Sequence, residues 1–193
     1  MTENHDASLW ENSLMEFRNR VAAGSATPGG GAVAAVAATF AAALLRMVCA
    51  IGSARRPDAG MSAIAIQVKI CEEQLAQCAA EDIRVFDLYM AARKTGGVPG
   101  YDDTQRCLLA CTDAPLAAAE AVVKLEAYAV EVAIHSPEFL SSDVATAQYL
   151  LSASRKGLLA NVNSNLKEME DGEARRAVLQ RVNILHGVTD SAG

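Results

Sequence analysis

Residues 27–47 read TPGGGAVAAVAATFAAALLRM, and this run constrains the fold more than any other. Alanine is the strongest helix former and glycine among the weakest, about 1 kcal/mol apart per residue. Three glycines at the head of an alanine-rich helix therefore mark a place where bare backbone is needed. Two explanations fit. One is a neighbouring helix packed closer than a side chain allows. The other is a ligand lying against a helix N-terminus, whose free N–H groups attract negative charge. A phosphate loop does not fit, because GxxxxGK[ST] is absent and no strand precedes the glycines. From Pro28 to about Ile51 the helix is apolar all round, so other helices or a partner subunit should enclose it. Residues 32–51 are also long enough to cross a bilayer. Arg46 interrupts them, however, and alanine contributes little to insertion, so a central buried helix is expected.

The remaining composition points the same way. Apolar residues make up 51% of the 193 and aromatics only 5%, so the core is built from Ala, Val, Leu and Ile. Small residues favour helix on helix, and the β-branched and aromatic alternation of a sandwich is scarce. The length suits one domain, residues 1–193. A net charge of −6 with no basic tract argues against a nucleic-acid partner. The five cysteines (Cys49, Cys71, Cys78, Cys107, Cys111) lie in apolar helical patterns. They read as free thiols of a reducing compartment. The three histidines are scattered, with no ExxH or HxxxH pair, so no metal is expected. MTENHDASLW lacks the basic and apolar regions of a signal peptide, and a cytoplasmic location is expected.

Periodicity divides the chain into about six helices. Trp10, Leu14, Phe17 and Val21 form a stripe on a first helix, about 7–23, which Gly24 stops. Ser25 and Thr27 are candidate caps for the glycine-led helix, with Pro28 in its first turn. The third helix, about 60–93, carries a seam of Ile64, Val68, Cys71, Leu75, Cys78, Asp82, Val85 and Tyr89. A turn-rich KTGGVPGYDD precedes a fourth region, about 103–134. There Pro115 either kinks the helix or starts a new one capped by Asp113. HSPEFLSS reads as a loop. Ser142 then caps a helix running to about Glu170, with Asp143 in its first turn. A last amphipathic helix, about 173–187, presents Val178, Val182 and Leu185. The fold expected is an all-α bundle with the Ala-rich helix at its centre.

Three polar features sit where apolar residues belong. Asp82 is a carboxylate on a core seam, and burying it unpaired costs several kcal/mol or more. It is either a structural ion pair, with Arg84 or an arginine on another helix, or a cleft carboxylate with a shifted pKa suited to acid–base work. Asn161 and Asn165 stand one turn apart in the register of Leu151 and Leu158. They either hold a heteroaromatic ligand or bridge helix backbones. The glycines are the third.

SATPGGGAVAAVAATFAAALLRMV resembles the signature of the cyclodeaminase/cyclohydrolase family. EDIRVF matches that family's D-x-x-x-F element, DAPLAAAE a segment with proline in the same place, and SSDVATAQYLLSASRKGLLANVNSNL its SD…A…G…NV…N segment. The matches run in order over nearly the whole chain. The resemblance implies a helical homodimer acting on the one-carbon unit of a tetrahydrofolate substrate, with no separate cofactor and no membrane or nucleic-acid partner. The activity it implies is hydrolysis of 5,10-methenyltetrahydrofolate to 10-formyltetrahydrofolate. Formiminotetrahydrofolate cyclodeaminase is the close rival, and a non-catalytic folate-binding dimer the third reading. It marks Asp82 as catalytic. It marks Gly29, Gly30, Gly31, Arg55, Arg56, Ser142, Asp143, Asn161 and Asn165 as substrate-binding, the arginines meeting the glutamate of folate. This chain departs from the family in Ala32, where serine is usual, in Ser136-Pro137, where Gly-Asn is usual, and in KTGGVPG after the third helix.

Overall fold

The computed structural model describes residues 9–55, 59–95 and 103–190. They form a 3-10 turn at Leu9–Glu11 and six helices: α1 (Leu14–Val21), α2 (Gly30–Arg55), α3 (Ala59–Thr95), α4 (Asp103–His135), α5 (Ser141–Leu166) and α6 (Glu173–Asp190). No strand occurs among the described residues.

Helices α2 to α5 make an up-down-up-down bundle. Met61 of α3 sits by Gly52 near the end of α2, and Asp82 sits by Gly31 at its start, so α2 and α3 run antiparallel. The Cys111 thiol of α4 donates to the Val85 carbonyl of α3 at 3.1 Å. Arg155 of α5 pairs with Glu126 of α4 at 3.0 Å. Gly157 of α5 lies against Ala34 and closes the ring onto α2. The helices on the α2–α4 diagonal also touch. They can do so because α2 turns Ala35, Ala38, Ala41, Ala42 and Leu45 inward, all fully or almost fully buried. The α3 seam packs as its spacing predicts, from Ile64 to Tyr89.

The α2 expectation holds on one side only. Its inner face is enclosed, but Val33, Phe40 and Met47 remain 37–45% exposed. By length and composition α2 would span a membrane, yet here it is the core helix of a bundle.

Four local expectations are corrected. The 7–23 segment is not one helix. Ser13 opens a new one with a capping box, its hydroxyl accepting from the Glu16 amide (3.2 Å) while the Glu16 carboxylate accepts from the Ser13 amide (2.7 Å). That break takes Trp10 and Leu14 out of a common face. Leu14 is 69% exposed, while Phe17 packs on the core. Trp10 instead donates its ring N–H to the Ala76 carbonyl of α3 at 3.0 Å. Neither Ser25 nor Thr27 caps α2: the Ser25 hydroxyl donates to the Thr27 carbonyl, and the Thr27 hydroxyl to Asp87 of α3 at 2.9 Å. Pro28 lies outside the helix, after a cis peptide bond. Ser142 is not a cap either. Glu138–Leu140 form a 3-10 turn inside the expected loop, and α5 starts at Ser141 with Leu140 as its N-cap. Finally, of the two readings of Pro115 the new helix fails: α4 continues through it, and Asp113 is no cap. With Glu120, Asp113 holds Arg181 at 2.7–2.8 Å and so pins α6 to α4.

Ser154 is buried on α5, and its hydroxyl has no partner among the described residues. Ser154→Ala removes an unsatisfied group, and it is expected to raise stability by about 1 kcal/mol, read as a higher urea midpoint. A lower midpoint would show that the hydroxyl is paired after all.

Candidate active site

Asp82 stands in a cleft at one pole of the bundle, where α2 begins. The cleft has a volume of about 150 Å³. It is lined by Gly29, Gly30 and Gly31, by Ala26 and Thr27 of the preceding segment, by Asp82 and Phe86 of α3, by Cys111 of α4, and by Asn161 and Asn165 of α5.

The glycines are explained by what lies against them. A Cβ on Gly31 would fall 2.7 Å from the Asp82 carboxyl carbon and 2.8 Å from one of its oxygens. No side chain fits there. A Cβ on Gly30 would come within 3.3 Å of the Asn161 amide nitrogen. The carboxylate lies on the first turn of α2 and accepts the backbone N–H of Ala32. This satisfies one of the helix's free donors and does from another helix what no serine or threonine does locally. Both explanations of the glycine run therefore meet here: a close approach, and an acceptor at a helix N-terminus.

No cation pairs with Asp82 among the described residues. Arg84 turns outward and clasps Glu81 at 2.6–2.8 Å, so the ion-pair alternative fails. Burial pushes the Asp82 carboxyl up to about 6, against the pull of the Ala32 amide. The two thiols nearby are weak acids. Burial, reinforced by the carboxylates of Glu81, Asp82 and Glu120, raises Cys78 to about 11, and burial, reinforced by Asp82 and Cys107, raises Cys111 to about 12. They stay protonated at neutral pH and supply no thiolate nucleophile. Among the described residues no three His, Cys, Asp or Glu side chains converge in a way that would hold a metal.

Asn165 bridges two helices, Asn161 bonds only its own helix, and both face the cleft. Pro115 has no N–H, so the Cys111 carbonyl one turn earlier loses its helical donor. The Asn165 side-chain amide donates to that carbonyl at 3.0 Å. Asn161 donates to the Gly157 carbonyl of its own helix at 2.9 Å. Each spends an N–H on structure and keeps its amide oxygen without a partner among the described residues, at the cleft wall.

The other expected residues are not brought together with Asp82. Arg55 ends α2, about 37 Å along the helix from Gly30 at 1.5 Å per residue. There its guanidinium lies 4.3 Å over the Phe139 ring, beside a separate hollow of about 500 Å³ shared with His135 and Pro137. Arg56 is outside the described residues. Ser142 and Asp143 open α5, about 27–30 Å from Asn161 along it, and the Ser142 carbonyl accepts the Thr146 hydroxyl. Ala32 costs the cleft little, since its contribution is a backbone amide. Ser136-Pro137 belongs to the Arg55 pole. Phe86, the phenylalanine of the D-x-x-x-F element and one turn after Asp82 on the same helix face, also lines the cleft, as does Cys111, to which the sequence reading gave no site role.

A family model described as formiminotransferase-cyclodeaminase matches residues 13–184. The chain belongs to the formiminotransferase-cyclodeaminase family. Formimidoyltransferase-cyclodeaminase of Sus scrofa is 30% identical over 93% of this chain, and that of Rattus norvegicus is 31% identical over the same share. The matched region is 35% of each of those proteins, so this chain spans about a third of their length. A methenyltetrahydrofolate cyclohydrolase of Methylorubrum extorquens is 28% identical over 94% of this chain and 90% of its own. The crystal structure of formiminotetrahydrofolate cyclodeaminase from Thermotoga maritima superposes with a TM-score of 0.84 at 26% identity, covering 94% of this chain and 92% of that one. Within this family fold, the Pro115–Asn165 pair is open to a direct test. Asn165→Ala should cost about 1–3 kcal/mol by orphaning the Cys111 carbonyl. In a Pro115→Ala background, where a backbone N–H is restored, it should cost at least 1 kcal/mol less. Equal costs in the two backgrounds would refute the coupling.

Proposed function

We propose that this chain hydrolyses 5,10-methenyltetrahydrofolate to 10-formyltetrahydrofolate. The observation that carries the reading is Asp82: a carboxylate in a cleft, with no counter-ion and a proton affinity near neutrality. The methenyl carbon lies between N5 and N10 in an amidinium-like cation, and a lone carboxylate attracts it. Water adds to that carbon while Asp82 takes one of its protons. The tetrahedral carbon then collapses: its hydroxyl releases its proton to solvent as the carbonyl forms, its bond to N5 breaks, and N5 receives the proton that Asp82 took. The formyl group is left on N10. Gly29, Gly30 and Gly31 offer a flat backbone wall, and the free amide oxygens of Asn161 and Asn165 accept from the pterin. Similarity to the Methylorubrum protein over nearly its full length supports hydrolysis.

Cyclodeamination is the second reading, supported by the named activity of the Thermotoga neighbour. It passes through the same kind of tetrahedral carbon and releases ammonia. Loss of methenyl absorbance indicates the first reaction; its appearance from the formimino substrate with ammonia release indicates the second. A homodimer in a reducing, cytoplasmic setting accords with the exposed face of α2 and with five free thiols.

If Asp82 is the base, kcat/KM should rise with pH through about 6 and level off above it. Asp82→Asn should lower kcat by about 100-fold or more and still bind folate. The same variant should be more stable than the wild type at pH 8. A carboxyl raised in the folded state supports folding below its ordinary range, and that support is lost as pH rises through about 6. Gly31→Ala, which displaces the carboxylate, should cost about 100-fold in turnover. Wild-type kinetics in either variant would remove Asp82 from the mechanism.

A further inference from the structure

We propose that Asp87 is a positioning residue: through the Thr27 hydroxyl it holds the strap of residues 24–27 against α3 as the outer wall of the Asp82 cleft, and so sets how tightly the cleft grips its substrate. The effect on substrate rests on the folate reading above; the attachment of the strap does not.

Eight of the ten residues lining the cleft stand on helices or, as Gly29 does, immediately before one. The Gly29 carbonyl accepts the Val33 amide of α2 at 3.1 Å, so the bundle sets the position of all eight. Ala26 and Thr27 are the exceptions, since they precede the helix. A wall on a loop is less precise than one on a helix unless something fixes it. The strap has little of its own to fix it. It starts at Gly24, which has a φ of 77° and nothing within 4 Å of where a Cβ would stand. Glycine takes up that backbone conformation at no steric cost. The strap ends at Pro28, which is buried. Between them the Ser25 hydroxyl donates to the Thr27 carbonyl at 2.7 Å, a bond within the strap itself. Among the described residues, the only hydrogen bond from residues 24–27 to the bundle is that of the Thr27 hydroxyl to the Asp87 carboxylate, at 2.9 Å.

Asp87 has no competing task. It forms no ion pair among the described residues, and Arg84, one turn before it, is held by Glu81 at 2.6 Å. A hydroxyl on a carboxylate is also a stronger tie than a hydroxyl on a neutral acceptor. The placement of Asp87 says what the tie governs. It follows Asp82 by five residues on α3, about 7.5 Å farther along the helix. It is exposed and does not line the cleft, while its neighbour Phe86 does. The strap therefore crosses α3 beyond the carboxylate that moves protons, against the part of the substrate that does not react. Contacts of that kind hold ground state and transition state alike, so their loss raises KM and spares kcat.

The test is a double-mutant cycle on the full chain. Asp87→Ala and Thr27→Val should each raise KM about 10-fold with little change in kcat. Together they should cost about 10-fold rather than 100-fold, because both remove the same bond. Asp87→Asn, which keeps an acceptor oxygen, should recover most of the loss. An unchanged KM, a fall in kcat at constant KM, or costs that multiply overturn the proposal. A second arm works without substrate. Cys111 is buried and lines the cleft. Its alkylation by N-ethylmaleimide, located by fragmentation mass spectrometry, should be several-fold faster in Asp87→Ala and in Thr27→Val than in the wild type, and slow again in Asp87→Asn. Equal rates in all four proteins overturn the strap as a wall. A wild type that labels as expected but turns over neither the methenyl nor the formimino substrate overturns the folate reading, and leaves the strap standing.

Discussion

The contact between the Asp82 carboxylate and the first turn of α2 decides the design of this bundle. A charged side chain on a packing seam needs room, a hydrogen bond and a reason to stay. Gly31 gives the room, since any Cβ would collide with the carboxyl group. The Ala32 amide gives the hydrogen bond. In the proposed hydrolysis the reason to stay is chemical: a carboxyl whose proton affinity sits near neutrality can both take and return a proton. Each of the three explains a feature that is unfavourable alone. Glycine weakens the helix start, Asp82 interrupts a seam, and α2 lacks a side-chain cap from its own approach segment.

A second compensation stands across the cleft. Proline inside α4 leaves a carbonyl without its donor, and Asn165 supplies one from α5. The repair fixes the asparagine with its amide oxygen at the cleft wall. A backbone defect thus orients a polar side chain. Asn161 is fixed likewise by the Gly157 carbonyl. The cleft walls are therefore held through interactions inside the protein, which would suit the proposed alignment of water, carboxylate and a flat cation.

Much of this was legible in the sequence. The α3 seam exposed Asp82 as an anomaly by spacing alone, and the helices from α2 to α6 fall close to where periodicity puts them. What failed did so where local and tertiary signals compete. The capping box at Ser13 outranked the stripe from Trp10 to Val21, because a break of one residue rotates every side chain after it. Ser142 looked like a cap because serine precedes an apolar run, but the 3-10 turn before it moved the start of α5 by two residues. The partner of Asp82 was beyond reach, since it is a backbone amide and backbone amides leave no mark in a sequence. The distance of Arg55 from the cleft was legible, by contrast: Gly30 and Arg55 lie at opposite ends of one helix, about 37 Å apart at 1.5 Å per residue.

The lone tryptophan gains significance from its placement. Trp10 hydrogen-bonds the Ala76 carbonyl and borders the same groove as Phe40. Its indole is thus a natural fluorophore at the rim of the exposed α2 face. Emission from this chain therefore reports on solvent access to that rim, and quenching measurements can follow it without any label.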